Sequence, residues 1–130
     1  MKRSAALTPL SREHHQALVI SKRISDLGSL SDDSLSHYWQ QVRDTFAEDL
    51  YTHFLQEEEG FGAVLEGELK QRFLSDHVRL RDLLQQTDRE SILLFAQCLK
   101  AHARFEEREL FGWLEQHHSQ LLAEAFIPHS

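Results

Sequence analysis

The sequence predicts an all-α fold, an up-down-up-down four-helix bundle of the kind that holds ligands between facing helices. Three observations predict it. Apolar residues recur every three or four positions through four long stretches. Only five Gly and two Pro interrupt 130 residues, too few for a β-rich chain, which needs more turn punctuation. The connections between the stretches are short, which favours antiparallel neighbours.

The first stretch opens at Thr8-Pro9, an N-cap followed by Pro at the first helical position. Leu10, His14, Ala17, Ile20, Ile24 and Leu27 then share one face of a helix over residues 9–27, and Gly28 follows as the C′ residue. After a polar loop over residues 29–33, Ser31 or Asp33 caps a second helix. Its face runs through Leu35, Trp39, Val42, Phe46, Leu50, His53 or Phe54, and Glu57. Gly60 and Gly62 weaken its end and Gly67 marks a turn. A third helix over residues 68–86 lines up Leu69, Phe73, His77, Leu80 and Leu84. Thr87-Asp88-Arg89-Glu90 is a capping box, with Thr first and Glu three later, and opens a fourth helix reaching residue 117. The face of this helix is read from Leu94, Cys98 or Leu99, His102, Phe105 or Glu106, Glu109 or Leu110, and Trp113. A short helical piece over residues 119–127 ends at Pro128.

The length suits a single domain over residues 1–130. A composition of 41% hydrophobic and 27% charged residues is that of a globular protein. The formal net charge of -7 argues against a nucleic-acid partner, because phosphate binding needs a basic surface. No run of about 18 apolar residues is present to span a membrane. Met1-Lys2-Arg3 is basic but no apolar segment follows it, so no signal peptide is read. Cys98 is the lone cysteine and has no internal disulfide partner, so the cytoplasm is the expected compartment.

Nine histidines is a high count for this length, and their placement is informative. His53-x3-Glu57-Glu58 on the second helix is matched by His102-x3-Glu106-Glu107 on the fourth, each followed by an aromatic residue. Glu13-His14-His15 on the first helix is matched by Asp76-His77 on the third. Residues i and i+4 lie on one helix face, about 6 Å apart along the axis, so one imidazole and one carboxylate reach a common ion. A carboxylate has two oxygens and can bridge two metals. One such pair alone reads as a solvated surface pair; two in matching frames read as ligands. His14 lies on the apolar stripe and is preferred over His15, which points off it. His37, His117, His118 and His129 have no partner pattern and read as surface residues. Trp39, Trp113 and the Phe residues read as core, Cys98 as a buried small hydrophobe, and Arg81 as a surface residue.

Taken together, these four motifs resemble the hemerythrin family, in its broad bacterial HHE branch, from Pro9 to Leu114. The resemblance implies a four-helix bundle with a carboxylate-bridged, non-haem di-iron centre. By motif, Glu57 and Glu106 are implied as bridging carboxylates, with Glu107 the alternative to Glu106. His53, His77, His102 and one of His14 or His15 are implied as terminal ligands. Oxygen carriers have His-x3-His on the third helix; here Phe73 and Arg81 stand four residues to either side of His77. One imidazole is thus missing, which leaves a coordination position that is open or filled by water or Glu58. Imidazole and carboxylate donors without thiolate suit iron, manganese or zinc, and the resemblance selects iron. Three functions follow as expectations. The first is a protein that senses, stores or handles iron, oxygen, nitric oxide or a peroxide, reporting to an unknown protein partner. The second is a di-iron oxidase, peroxidase or nitric oxide-reducing enzyme. The third is a metal-free helical interaction domain.

Overall fold

Residues 5–125 are described in the computed structural model, and the secondary structure among them is entirely helical. The α-helices are α1 (Thr8–Gly28), α2 (Asp32–Gln41), α3 (Ala47–Gly60), α4 (Gly67–Leu83), α5 (Arg89–Phe105), α6 (Phe111–His117) and α7 (Ser119–Ala125). Two π-helical turns, Val42–Phe46 and Glu106–Leu110, join α2 to α3 and α5 to α6. The flanking residues keep right-handed helical dihedrals, so each junction lies inside one continuous rod. Four long rods and a short final helix pack together, with α5 against α1 and α4, and α2 against α1 and α5. None of the described helices is long and apolar enough to cross a membrane.

The caps differ from expectation by a residue or so. Thr8 is already helical and Leu7 stands at the N-cap of α1, with Pro9 in the first turn. Ser31 caps α2, its hydroxyl accepting from the Ser34 N–H at 3.1 Å. Asp88, not Thr87, caps α5: Asp88 is the residue with extended dihedrals just before the helix, and its carboxylate accepts from the Ser91 N–H at 3.0 Å. Gly67 enters α4 at φ 56°, in the left-handed region where Gly carries no steric penalty. Gly28 is not a left-handed C′ residue but the last residue of α1. It is small for another reason: a Cβ there would stand 2.7 Å from Leu93 Cδ2 of α5. Arg89, at the start of α5, donates to the Gly28 carbonyl at 2.7 Å and pairs with Asp32.

The interior has two apolar layers. One contains Ile20, Ile24, Trp39, Phe46, Leu80 and Phe95 among others. The other contains Leu10, Phe61, Phe73, Phe105, Phe111 and Leu114 among others. The boundary between the layers falls at a buried ionisable residue: His14 between Leu10 and Ala17, Glu57 between Phe54 and Phe61, His77 between Phe73 and Leu80, and His102 between Leu99 and Phe105. Trp39 is buried and donates its indole N–H to the Gln86 carbonyl at 2.8 Å.

The fourth rod is turned relative to the sequence reading. Its buried face is Ile92, Phe95, Ala96, Leu99, His102, Ala103, Phe105, Glu106, Leu110, Phe111 and Leu114. Leu94, Cys98 and Trp113 are only half-buried and Glu109 is exposed. A π turn adds a residue to the helical repeat, so a strict three-four spacing carried past Glu106 arrives one position off. Cys98 is thus a half-buried thiol, which partial burial pushes above its ordinary pKa. Of the C-terminal expectations, α7 occupies Ser119–Ala125; Ile127, Pro128 and His129, like Met1, Lys2 and Arg3, lie outside the described residues.

Candidate metal centre

Six buried ionisable side chains meet between the two apolar layers: His14 from α1, His53 and Glu57 from α3, His77 from α4, and His102 and Glu106 from the fourth rod. Glu57, Glu106 and His77 have no solvent exposure at all. Two sets of four donor atoms lie within 4.8 Å of one another: His14, His53, Glu57 and Glu106; and Glu57, His77, His102 and Glu106. The sets share both glutamates and divide the histidines in two pairs. The ring centroids are 5.1 Å apart in His14/His53 and 5.0 Å in His77/His102. The Nε2 atoms point inward: His14 Nε2 is 3.2 Å from Glu106 Oε1, His53 Nε2 is 3.3 Å and His77 Nε2 3.2 Å from Glu57 Oε1.

Each Nδ1 points outward to a different carboxylate. His14 donates to Glu107 at 3.1 Å, His53 to Glu13 at 3.0 Å, His77 to Glu58 at 2.7 Å and His102 to Asp76 at 2.9 Å. These four acids are sequence neighbours of the inner donors, yet each serves a histidine on another rod. Glu13 beside His14 reaches α3; Glu58 beside Glu57 reaches α4; Asp76 beside His77 reaches α5; Glu107 beside Glu106 returns to α1. The ring closes on itself. With Nδ1–H donated outward, each Nε2 faces the centre, and in the neutral imidazole its lone pair is free there, the tautomer that a metal-binding imidazole needs. Two of the acids are themselves gripped. Arg81 donates to both oxygens of Glu58 at 2.9 and 3.0 Å, and Arg72 donates to Asp76 at 2.9 Å.

Electrostatics explains why this cluster calls for a cation. Two carboxylates buried side by side do not both stay charged unaided. Burial, and then the adjacent charge of Glu106, push Glu57 well above the usual carboxyl range. Burial acts on Glu106 in the same sense, but His102 and the bonds from Glu57 and His14 outweigh it and hold Glu106 well below that range. The two carboxyls are thus pushed apart in opposite directions, as expected of two that share one buried site. Burial would lower His14 and His102, but the surrounding carboxylates outweigh it and raise each to about 9. Burial, then repulsion from His102, lowers His77 to about 4. Among the described residues, five buried atoms of the cluster, Glu57 Oε1 and Oε2, His77 Nε2, His102 Nε2 and Glu106 Oε2, lie close to one another but make no well-aligned hydrogen bond. Leaving one such group unsatisfied costs about 1–3 kcal/mol, so five converging on one point fit a ligand of opposite polarity. All donors are imidazole or carboxylate, a set that suits iron, manganese or zinc. A metal pair fits the residues present, one ion in each set of four.

Of the sequence-derived candidates, His14, His53, Glu57, His77, His102 and Glu106 come together, and His15 does not: it is exposed and belongs to neither set. A helix presents i and i+1 about 100° apart, so only one of two adjacent histidines faces inward. Glu107 stands outside both sets, as the outer partner of His14, and so does Glu58. Arg81 is half-buried and serves the centre by holding Glu58 rather than lying on the open surface. His37 and His117 are exposed as expected, whereas His118 is half-buried beside Trp113, 5.1 Å between centroids. The outer ring was missed in the sequence as a set, although its signal is present: an acid stands directly beside an inner donor on every rod.

A cavity of about 330 Å³ opens between α1 and α3 and reaches the centre from one side. His14, His53 and His102 form part of its wall; His77 does not. On the other side His77 is packed between Phe54 and Phe73, each with centroids 4.2 Å away. Comparison of the chain with protein-family models, curated proteins and solved structures finds no match.

Proposed function

We propose that this chain is a single-domain, hemerythrin-like up-down-up-down bundle that holds two metal ions, iron in both positions. His14 and His53 hold one ion, His77 and His102 the other, and Glu57 and Glu106 bridge them. The observation that carries this reading is the pair of four-donor sets sharing both buried glutamates. The motif resemblance to the HHE branch favours iron over zinc or manganese. A bound iron pair would supply exchangeable coordination for oxygen, nitric oxide or peroxide and a change of redox state. The chain's residues supply the rest: outer acids that orient all four histidines, and apolar layers above and below that leave the cavity between α1 and α3 as an approach to the centre. On this reading the protein senses, stores or handles iron or a small diatomic ligand, and reports to a protein partner.

Elemental analysis of protein purified without a metal-binding tag tests the reading. About two ions per chain are expected, with strong near-ultraviolet absorption when iron is oxidised. Metal-free protein that takes up no iron, manganese or zinc would overturn it and leave a helical interaction domain. The cavity beside His14 and His53 favours a second reading, an oxidase, peroxidase or nitric oxide-reducing enzyme, because reagents have a way in. Multiple turnovers of peroxide or nitric oxide by iron-loaded protein would select it over the first.

A further inference from the structure

We infer that the cavity between α1 and α3 is a binding site for a small organic cation, an amine carried on a compact apolar body. Its volume of about 330 Å³ is about ten times the roughly 30 Å³ share of one water molecule, far more than a diatomic ligand needs. Its floor is apolar and buried: Ala17, Phe46, Leu50, Phe54, Leu99 and Ala103. Its exposed rim is Gln16, Asp49, Thr52 and Gln56, with half-exposed Glu13 beside them. A dry floor with a few polar groups at one end is the form of an organic-ligand site.

The sign of the ligand's charge follows from the rim. Two carboxylates line the cavity and no Lys or Arg does. Asp49 has no hydrogen-bond or ion-pair partner among the described residues. Glu13 gives Oε2 to His53 and keeps Oε1 for a guest. At the rim an anionic group is repelled by Asp49 and Glu13, and a neutral one leaves both carboxylates unused; the buried imidazoles of His14, His53 and His102 stand at the inner wall instead. An ammonium group at the rim pairs with Asp49 and Glu13, while its apolar body covers the floor beside His14, His53 and His102. His14, His53 and His102 belong both to the six-donor cluster and to the cavity wall, whereas Asp49 and the apolar floor that select the guest are not members of the cluster.

Titration of the full chain, metal-free and metal-loaded, with benzylamine, benzyl alcohol and benzoate, followed by backbone amide shifts, tests it. Benzylamine should saturate, with shifts centred on Ala17, Asp49, Leu50 and Ala103. Benzyl alcohol should bind about tenfold more weakly and benzoate not at all. Ala17→Leu, which fills the floor, should abolish binding. Asp49→Lys on the exposed rim should do the same without touching the core, so the test survives if Ala17→Leu misfolds. Equal affinity for amine and alcohol, saturable binding of benzoate, shifts centred elsewhere, or no saturation in either form would each overturn the proposal. Because both forms are titrated, a protein that binds amine but no metal is told apart from one that binds metal but no amine.

Discussion

The His77/His102 pair and the His14/His53 pair come from the same repeated pattern and end in different surroundings. Around the first, both outer acids are gripped by guanidinium groups, Glu58 by Arg81 and Asp76 by Arg72. Those groups also lie over rings, Arg81 over Phe54 and Arg72 over Phe105. Around the second, Glu13 has a side chain 40% exposed and lines a cavity. The contrast teaches that the repeat sets the inner donors and their outer acids, but not what surrounds those acids. Residues one helical turn away decide whether a position is sealed or approachable. Arg81 and Phe73, four residues either side of His77, close its side of the centre: one fixes Glu58 and the other packs on the imidazole.

The largest effect should come from what the pairs share. Glu57→Ala and Glu106→Ala each remove a donor from both sets, so metal content should fall to near none in both positions. The rise in melting temperature on metal addition should vanish with it, as binding to the folded state is lost. A variant that keeps one full ion by elemental analysis would break the idea of a shared bridge. Next come the outer acids. Glu13→Ala should weaken the ion at His14/His53 by about 10–100-fold, and Glu58→Ala the ion at His77/His102 by a similar factor. Competition with a chelator reads each. If either variant weakens both ions equally, the two halves act as one.

Acid should act more gradually. In the metal-free protein His14 and His102 are raised to about 9, so both are protonated at neutral pH and an entering cation must displace those protons. Affinity should therefore fall as the pH falls below about 9, by about tenfold per unit for each proton displaced, and level off above it. Affinity that is flat between pH 7 and 8 would contradict the raised values. The smallest effects belong to histidines away from the cluster. His15→Ala and His117→Ala should leave metal content unchanged and stability within about 0.5 kcal/mol, by thermal melting.

Much of this was legible because helical spacing is strict. Leu10, His14, Ala17, Ile20 and Ile24 fall on one buried stripe of α1 as their spacing requires. That same spacing separates His14 from His15, and Glu106 from Glu107. Spacing failed where the helix itself departs from it. Past the π turn at Glu106–Leu110, Leu110 is the buried member of the expected pair Glu109 or Leu110, while Phe111 and Leu114 are buried in place of the expected Trp113. No local residue preference announces such a turn; only the five-residue step between two inward apolar positions, Phe105 and Leu110, hints at it. The outer ring was illegible for a different reason. Its bonds join Glu13 to His53 and Glu107 to His14, residues 40 and 93 apart in the chain, and pairing over such distances is a property of packing.

Gly28 has a reach beyond its own contact with Leu93. Where α1 ends, Leu93 lies against Gly28 and Arg89 donates to its carbonyl, so this corner is one point at which α1 and α5 are joined. From there, fourteen residues back along α1 lead to His14, and thirteen forward from Leu93 lead to Glu106; both strides are about 20 Å of helix. The two side chains meet because the strides match. Lengthening either helix by one residue between corner and centre would put its donor about 1.5 Å out of step, and swing it about 100° around the axis. A glycine remote from the chemistry thus stands at matched helical distances from two donors of the centre.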